Sequence, residues 1–315
     1  MGPMNPLQKK LRICFMGTAA FALPTMQAVA AVEEVVAVVT QPDRPRGRGR
    51  EVAPPPVKAR ALRLGLPIMQ PERVKDPLFL SQLAELRPEL IVVAAFGQIL
   101  PAAVLDLPPL GCVNVHPSLL PKYRGAAPFQ RAIIQGESRT GVSIYRMDQG
   151  MDTGPLLLTR EVEIAEAETA EELGDRLAEI GGELVVEAIK GLKQGTLKLV
   201  PQDEKGASYA PLFKKTDGLI PWQEAAVQIR NRIRGMVPWP VAYTAWQGKM
   251  LKVYKGRLGE GSGIPGEIIS LDSGIEVACG TGSIVIEELQ MEGGKRIGWA
   301  EFARGHRLTP GERLG

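Results

Sequence analysis

The feature that most restricts the fold of this chain is the alternation of apolar segments with helical patterns along residues 1–195. Such alternation is typical of βαβ units, which build a mostly parallel sheet covered by helices. The predicted strands share short apolar runs and lie at 11–17, 34–40, 67–70, 89–95, 112–116, 141–146 and 155–163. The predicted helices lie between them, at 20–31, 56–65, 76–87, 101–106 and 127–135. The fold class is therefore α/β.

The remaining chain changes character twice. A long helical pattern at 169–195 begins with Thr169 and Glu172 at the spacing of a capping box. Residues 196–222 have no sustained period and read as a linker. Residues 223–315 give one helical pattern followed by short strands with glycine turns, which is typical of a small β-barrel or of another compact β domain. With 315 residues, longer than one core usually supports, we expect domains at 1–195 and 223–315 joined by that linker.

Several classes of protein are excluded. No apolar run approaches the ~20 residues of a membrane span, and residues 1–10 lack the apolar stretch of a signal peptide, so we expect a cytoplasmic protein with no membrane partner. The first strand is followed by no G-x-G-x-x-G loop, and the chain has no phosphate-binding G-x-x-x-x-G-K-[ST] motif. Three separated cysteines and two histidines 190 residues apart predict neither a disulfide framework nor a metal site. We expect buried, unpaired thiols.

Possible chemistry is concentrated in Gly111–Pro128. Asn114 and His116 are two residues apart near the end of a predicted strand, so their side chains leave the same face. Ligands of open α/β sheets bind at such strand ends. Asn and His also occur there as turn formers, so the pair alone leaves a structural role open. A second polar cluster, Met147–Pro155, contains two aspartates among turn-forming residues and favours a site.

Ordered motifs spread from residue 15 to residue 240 carry a resemblance that covers nearly the whole chain. Around the predicted site they are Asn114-Val-His116-Pro-Ser118-Leu-Leu-Pro121, Arg124-Gly125-Ala126-x-Pro128 and Met151-Asp152-Thr153-Gly154. Elsewhere Phe15-Met-Gly-Thr18, Gln41-Pro-Asp-Arg44-Pro with Gly47-Arg48-Gly49, and Pro238-Trp239-Pro240 also match. Together they resemble the folate-dependent formyltransferases. One departure is visible: Ala19-Ala20 stands where the family usually has Pro-Glu, which affects the expected shape of the first loop.

The resemblance implies a Rossmann-like N-terminal domain and a small C-terminal OB-like β-barrel domain. It also implies formyl transfer from 10-formyltetrahydrofolate to the amine of methionyl initiator tRNA, with Asn114, His116 and Asp152 as the catalytic residues. Formyl transfer to an amine passes through a tetrahedral carbon with a developing oxyanion, which an amide N–H and an imidazole can stabilise. A carboxylate such as Asp152 can orient the imidazole and relay the amine's proton. Asp148 is expected to be a turn residue.

Folate contacts are implied at two loops. In the family, the segment matching Ser118, Leu119, Leu120 and Pro121 lines the folate pocket. The loop matching Phe96, Gly97, Ile99 and Leu100 holds the pterin ring through backbone groups, although an ordinary strand-to-helix turn would require only Gly97. An acyl-enzyme on Ser118 is rejected, because sequence neighbours at an extended turn rarely face each other and the G-x-S-x-G elbow is missing.

Basic residues suggest the acceptor. Residues 206–315 carry 14 basic and 11 acidic side chains, while residues 1–205 are balanced at 24 each. The segment Asp43–Arg60 is rich in basic residues and contains glycines. Such a loop suggests an anionic macromolecular partner, although a solubilising loop would have the same composition. We expect tRNA to contact Arg44, Arg46, Arg48, Arg50, Lys214, Lys215 and Arg304.

Three functional interpretations follow from these residues. The first is a monomeric enzyme that formylates methionyl initiator tRNA. The second keeps the folate donor and changes the acceptor to a sugar-nucleotide amine or to water. The third is an RNA-binding module on an inactive transferase-like domain, against which the joint presence of Asn114, His116 and Asp152 argues.

Overall fold

The architecture is described from a computed structural model that covers residues 9–46 and 51–315. The predictions for Arg48 and Arg50 lie outside the described residues, as does the side chain of Arg46. Within residues 9–46 and 51–210, eleven strands occur: β1 (Arg12–Gly17), β2 (Glu34–Val39), β3 (Arg44–Arg46), β4 (Glu51–Ala53), β5 (Ile68–Met69), β6 (Leu90–Ala94), β7 (Cys112–His116), β8 (Arg124–Gly125), β9 (Arg139–Arg146), β10 (Leu156–Glu163) and β11 (Tyr209–Ala210).

Seven of these strands form one sheet in the order β10-β9-β7-β6-β1-β2-β5. They are the seven strands predicted from the apolar runs. The pairs from β7 through β6, β1 and β2 to β5 are parallel, whereas β9 runs antiparallel to β7. The inner strands β1 and β6 are almost wholly buried, as expected for a parallel sheet covered on both faces. The predicted mostly parallel sheet is confirmed.

Up to residue 195, the part of the chain that the structure describes contains the α-helices α1 (Ala22–Val32), α2 (Pro56–Arg63), α3 (Pro77–Glu85), α4 (Ala102–Leu105), α5 (Pro128–Ile134) and α6 (Ala170–Gln194). Three of them begin with proline, whose missing N–H costs nothing in the first helical turn. The predicted capping box of α6 is confirmed, because the Thr169 amide donates to Glu172 and the Glu172 amide donates to the Thr169 hydroxyl. Each of these helices starts and ends within three residues of its predicted boundaries.

The later part of the chain contains helices α7 (Ala226–Gly235) and α8 (Trp299–His306) and a curled antiparallel half-barrel. Its strands are β12 (Ala242–Trp246), β13 (Lys249–Gly259), β14 (Ile268–Ser270), β15 (Ile275–Ala278), β16 (Ser283–Met291) and β17 (Ile297–Gly298). They pair in the order β12-β13-β16-β15-β14, with β17 on β16. The buried side chains of α7 and α8, such as Ile229 and Phe302, pack into the sheet's core. The prediction of a small barrel-like domain is confirmed.

The chain forms two compact units that are interleaved in sequence. The first comprises Met1–Gly125, Thr140–Val162 and Gly174–Tyr209, and the second comprises Ala126–Arg139, Glu163–Leu173 and Ala210–Gly315. The division of function at residues 195 and 222 stays a prediction. Within residues 9–46 and 51–315, no helix is long and apolar enough to cross a membrane.

Candidate active site

Strand β7 places Asn114 and His116 at the carboxyl edge of the central sheet. Val113 and Val115, which alternate with them, are buried in the sheet's packing. Asn114 is half-buried and His116 is 3% exposed. The strand ends where the sequence predicts, at His116, so both polar side chains stand beside the loops that leave the parallel strands.

Asp152 completes a hydrogen-bonded group with this strand. It lies in the loop between β9 and β10 with a φ of 55°, a left-handed conformation that Asp tolerates better than most residues. Its Oδ2 accepts the Gly125 amide at 2.7 Å and lies 3.6 Å from Nδ1 of His116. The structure therefore brings together the three residues predicted to be catalytic.

Tyr145 is a member of this group that sequence reasoning did not identify. It lies on β9, where its Cα pairs with that of Asn114 across the antiparallel strands. Its hydroxyl donates to Oδ1 of Asp152 at 2.7 Å and accepts from Nδ2 of Asn114 at 3.1 Å. Burial, followed by the negative charge of Asp152, raises the pKa of Tyr145 well above its ordinary value. The hydroxyl consequently keeps its proton at neutral pH.

Both ring nitrogens of His116 face protein groups. Nε2 lies 2.9 Å from the backbone carbonyl of Tyr123, and a carbonyl oxygen can only accept. Nε2 therefore carries a hydrogen. The remaining nitrogen, Nδ1, faces the Asp152 carboxylate, and this contact is favourable when the ring is protonated. Asp152 is thus placed to stabilise an imidazolium.

Asp148, the other acidic residue of this loop, has a different environment. Its Oδ1 accepts from the Gly150 amide at 3.0 Å and from the Thr153 hydroxyl at 2.7 Å. Both partners lie in the same loop, so Asp148 shapes the turn. The prediction that it is a turn residue is confirmed.

Residues 200–208, which the sequence predicts to be part of a linker, form hydrogen bonds with the loop that carries Asp152. The Gln202 amide donates to the carbonyls of Asp152 and Gly154 at 2.9 and 2.7 Å. Its oxygen accepts from the guanidinium of Arg124, which is fully buried and also bonds both carboxylate oxygens of Glu204. The Arg124 amide donates to the Ser208 carbonyl. The Gln202 side chain therefore joins this segment to the loop that carries Asp152, and the buried Arg124 guanidinium holds Gln202 in place.

The predicted folate residues lie on loops that follow β6 and β7, neighbouring parallel strands whose carboxyl ends meet at one edge. In the first loop, Phe96 and Leu100 are buried and Ile99 is 83% exposed. In the second, the Ser118 hydroxyl donates to the Lys122 carbonyl at 2.6 Å, which agrees with the rejection of an acyl-enzyme. Ser118 and Leu120 are buried, whereas Leu119 and Pro121 are half-buried, so this loop can offer a ligand the side chains of Leu119 and Pro121 as well as backbone groups.

The predicted tRNA residues are distributed over both units. In the first, Arg44 belongs to the hairpin of β3 and β4, has a 63% exposed side chain and lies 3.9 Å from Glu72. In the second, Lys214, Lys215 and Arg304 are exposed. Across the described residues, no three His, Cys, Asp or Glu side chains come close enough to hold a metal ion.

Two family models match this chain. A model described as "Formyl transferase" matches residues 11–189, and one described as "Formyl transferase, C-terminal domain" matches residues 213–307. Among curated relatives, the methionyl-tRNA formyltransferase of Trichlorobacter lovleyi is 52% identical over 305 residues, covering 96% of each chain. The enzyme of the same name from Geobacter sulfurreducens is 50% identical over 307 residues, covering 97% of each.

Solved structures share the fold at low identity. An N-formyltransferase from Helicobacter canadensis, in complex with folinic acid and dTDP-3-aminofucose, has a TM-score of 0.67 at 18% identity and covers 88% of this chain and 98% of that one. HypX from Aquifex aeolicus in complex with tetrahydrofolic acid has a TM-score of 0.65 at 18% identity, covering 94% of this chain and 47% of that one. Identities this low concern the fold alone.

Proposed function

The chain belongs to the formyl transferase family, and we infer from this membership that Asn114, His116 and Asp152 are the catalytic residues of its formyl transfer. The enzyme moves the formyl group of 10-formyltetrahydrofolate to the free amino group of methionyl initiator tRNA, the reaction of its relatives at about 50% identity. One observation carries the catalytic assignment. The Asp152 carboxylate lies between the His116 imidazole and the Tyr145 hydroxyl that contacts Asn114.

The geometry suggests a role for each residue. In the transfer, a bond forms between the methionine nitrogen and the formyl carbon, and the bond from that carbon to the folate nitrogen breaks. Asn114 has a second amide hydrogen beside the one given to Tyr145, which can be donated to the developing oxyanion. The Asp152 carboxylate lies 3.6 Å from Nδ1 of His116 and can accept the proton that the amine loses. That proton ends on the folate nitrogen that leaves.

His116 must change its partner to take part directly. Its Nε2 faces the Tyr123 carbonyl, so donation to the formyl oxygen requires the ring to exchange one acceptor for another. In the arrangement described, Nδ1 of the ring also lies 3.6 Å from the Asp152 carboxylate.

The remaining assignments are proposals about binding. Backbone groups of the loops after β6 and β7 would hold the donor, with the exposed Ile99 side chain as an apolar contact. Residues 1–195 would provide the catalytic domain and residues 223–315 a domain that binds tRNA. We place the enzyme in the cytoplasm as a monomer. The tRNA contacts proposed are Arg44, Arg46, Arg48, Arg50, Lys214, Lys215 and Arg304.

Formation of formylmethionyl-tRNA from 10-formyltetrahydrofolate and charged initiator tRNA tests this function. Asn114→Ala, His116→Ala and Asp152→Ala should each lower kcat by roughly 10²–10⁴, the usual loss of an oxyanion donor or an acid–base group. Circular dichroism should show an unchanged fold in all three. Near-normal turnover in His116→Ala with native structure would overturn the catalytic assignment.

Asp148→Ala is the matched control, because it removes a carboxylate from the same loop. Its hydrogen bonds serve the turn alone, so kcat should stay within a fewfold of the unmodified enzyme. Equal losses in Asp148→Ala and Asp152→Ala would mean that loop shape, and not the Asp152 carboxylate, matters to the reaction.

A further inference from the structure

We propose that Tyr145 is a positioning residue for formyl transfer, whose hydroxyl fixes the orientation of the Asn114 amide and holds the Asp152 carboxylate in place. The inference deepens the proposed function and rests on the catalytic roles given there to Asn114 and Asp152. None of the motifs quoted from the sequence contains this tyrosine. It is identified by its position between two residues that are 38 apart in the chain.

Strand pairing brings the tyrosine to the site. In the antiparallel pair β7–β9 the Cα of Asn114 lies opposite that of Tyr145, and side chains of directly opposed residues stand on the same face. The tyrosine is 2% exposed, so packing restricts its ring. Gly154 contributes to this packing, since a Cβ there would lie 3.2 Å from Cδ2 of the ring and 1.8 Å from the Arg146 carbonyl. The Asp152 loop thus approaches the tyrosine closely because residue 154 has no side chain.

The directions of the two hydrogen bonds follow from counting hydrogens. An ionised carboxylate only accepts, so the single hydroxyl hydrogen of Tyr145 is donated to Oδ1 of Asp152. The hydroxyl oxygen must then accept from Asn114, and of the two ends of an amide only the nitrogen can donate. A rotation of the Asn114 amide by 180° would place oxygen against oxygen. The tyrosine therefore selects one of two amide orientations that have nearly the same shape.

This selection has a consequence for the reaction. With Nδ2 anchored on Tyr145, the other amide hydrogen points in one fixed direction and can be donated to the formyl oxygen. Preorganised donors stabilise an oxyanion because they do not have to reorient during the reaction. The raised pKa of Tyr145 keeps this arrangement intact, since the hydroxyl stays protonated through the neutral and mildly alkaline range. The same hydroxyl and the Gly125 amide hold the two oxygens of Asp152 separately.

Tyr145→Phe tests the proposal, because it removes the hydroxyl and leaves the ring. We expect kcat to fall about tenfold, the scale of one hydrogen bond to a charged group, while KM for the donor and for tRNA stays within about twofold. The pH profile of kcat/KM should also move, because the Asp152 carboxylate keeps only one of its two hydrogen-bond donors, the Gly125 amide. A hydroxyl that served only stability would change Tm and leave this pH profile where it was.

Tyr254→Phe is the matched control. Its hydroxyl donates to Oε1 of Gln290 at 2.7 Å in the second compact unit. The substitution therefore removes a hydrogen-bonded hydroxyl from a partly buried tyrosine outside the site. Its kcat and pH profile should equal those of the unmodified enzyme. Tyr145→Leu, which lacks both hydroxyl and ring, gives a second measurement should Tyr145→Phe fold poorly, and is expected to show the same shift of the profile.

A double-mutant cycle separates this inference from the proposed function. If the hydroxyl acts through Asn114 and Asp152, its removal should cost less than twofold in an Asn114→Ala, Asp152→Ala background. Full kcat and an unmoved profile in Tyr145→Phe, with Asn114→Ala and Asp152→Ala impaired, would overturn the role of Tyr145 alone. Full activity in Asn114→Ala and Asp152→Ala would overturn the proposed function as well.

Discussion

The buried guanidinium of Arg124 shows how one residue outside the reaction can set the geometry of another. Its partner Glu204 has a 69% exposed side chain, and the hydrogen bonds from Arg124 hold the pKa of that carboxyl below its ordinary value of 4.5. A lowered pKa means that the folded protein binds the proton less readily than the unfolded chain. The pair therefore stabilises the fold above pH 4.5, and this contribution is lost as the pH falls through the lowered value.

Glu204→Gln should accordingly lower Tm at pH 7 by about 2 °C, a small effect because water screens the exposed carboxylate. The difference from the unmodified enzyme should shrink as the pH falls below 4.5. Thermal denaturation at several pH values measures it. Glu183→Gln is the control. It removes a carboxylate on α6 that pairs with Arg160 and is also exposed, and it should lower Tm at pH 7 less than Glu204→Gln does. A Tm difference that grows in acid would contradict the assigned sign.

The residues that could be predicted differ in kind from those that could not. Asn114, His116 and Asp152 were found because the sequence keeps them in short motifs. Tyr145 and Gln202 carry no local signal, since their partners depend on strand register and on a contact between residues 50 apart. The hydrogen on Nε2 of His116 likewise follows from the Tyr123 carbonyl, whose position no motif gives.

At the scale of elements, hydrophobic periodicity was sufficient for all seven strands of the central sheet and for the helices between them. It was insufficient for residues 196–209, which were predicted to be a linker because they are polar and lack a period. They are held by backbone pairing of Val200 with Leu156 and by the Gln202 side chain, and neither interaction produces an apolar pattern. Polar contacts to backbone carbonyls leave little trace in hydrophobic periodicity.

Gln202→Ala tests whether this segment positions the loop between β9 and β10. The carbonyls of Asp152 and Gly154 lose their donor and the Arg124 guanidinium loses an acceptor, so we expect kcat to fall several-fold with KM for tRNA nearly unchanged. Lys205→Ala, an exposed change in the same segment, is the matched control and should behave as the unmodified enzyme. Steady-state formylation kinetics decide between these outcomes. Unaltered kcat in Gln202→Ala would mean that the loop holds Asp152 without this support.

At the scale of the whole molecule, we expect tRNA binding to depend on where the basic side chains lie and not on the net charge of the protein. The formal charge of the chain is +3. Replacing any three lysines or arginines by alanine lowers this formal charge to 0. Two such triple variants therefore differ only in the location of the lost charges.

The first variant removes the exposed side chains of Lys214, Lys215 and Arg304, and the matched control removes those of Lys75, Lys190 and Lys198, also exposed. Each phosphate neutralised by a protein cation releases condensed counterions, so the salt dependence of kcat/KM for tRNA should flatten in the first variant, its logarithmic slope falling by up to about three. The binding of initiator tRNA and the binding of elongator tRNA should weaken alike, because phosphate contacts carry no sequence information. Arg48→Ala should instead lower kcat/KM for initiator tRNA more than for elongator tRNA, as expected if this residue contacts the end of the acceptor stem. If the control triple flattens the slope as much as the first, tRNA responds to net charge alone and the proposed contacts in the half-barrel unit are wrong.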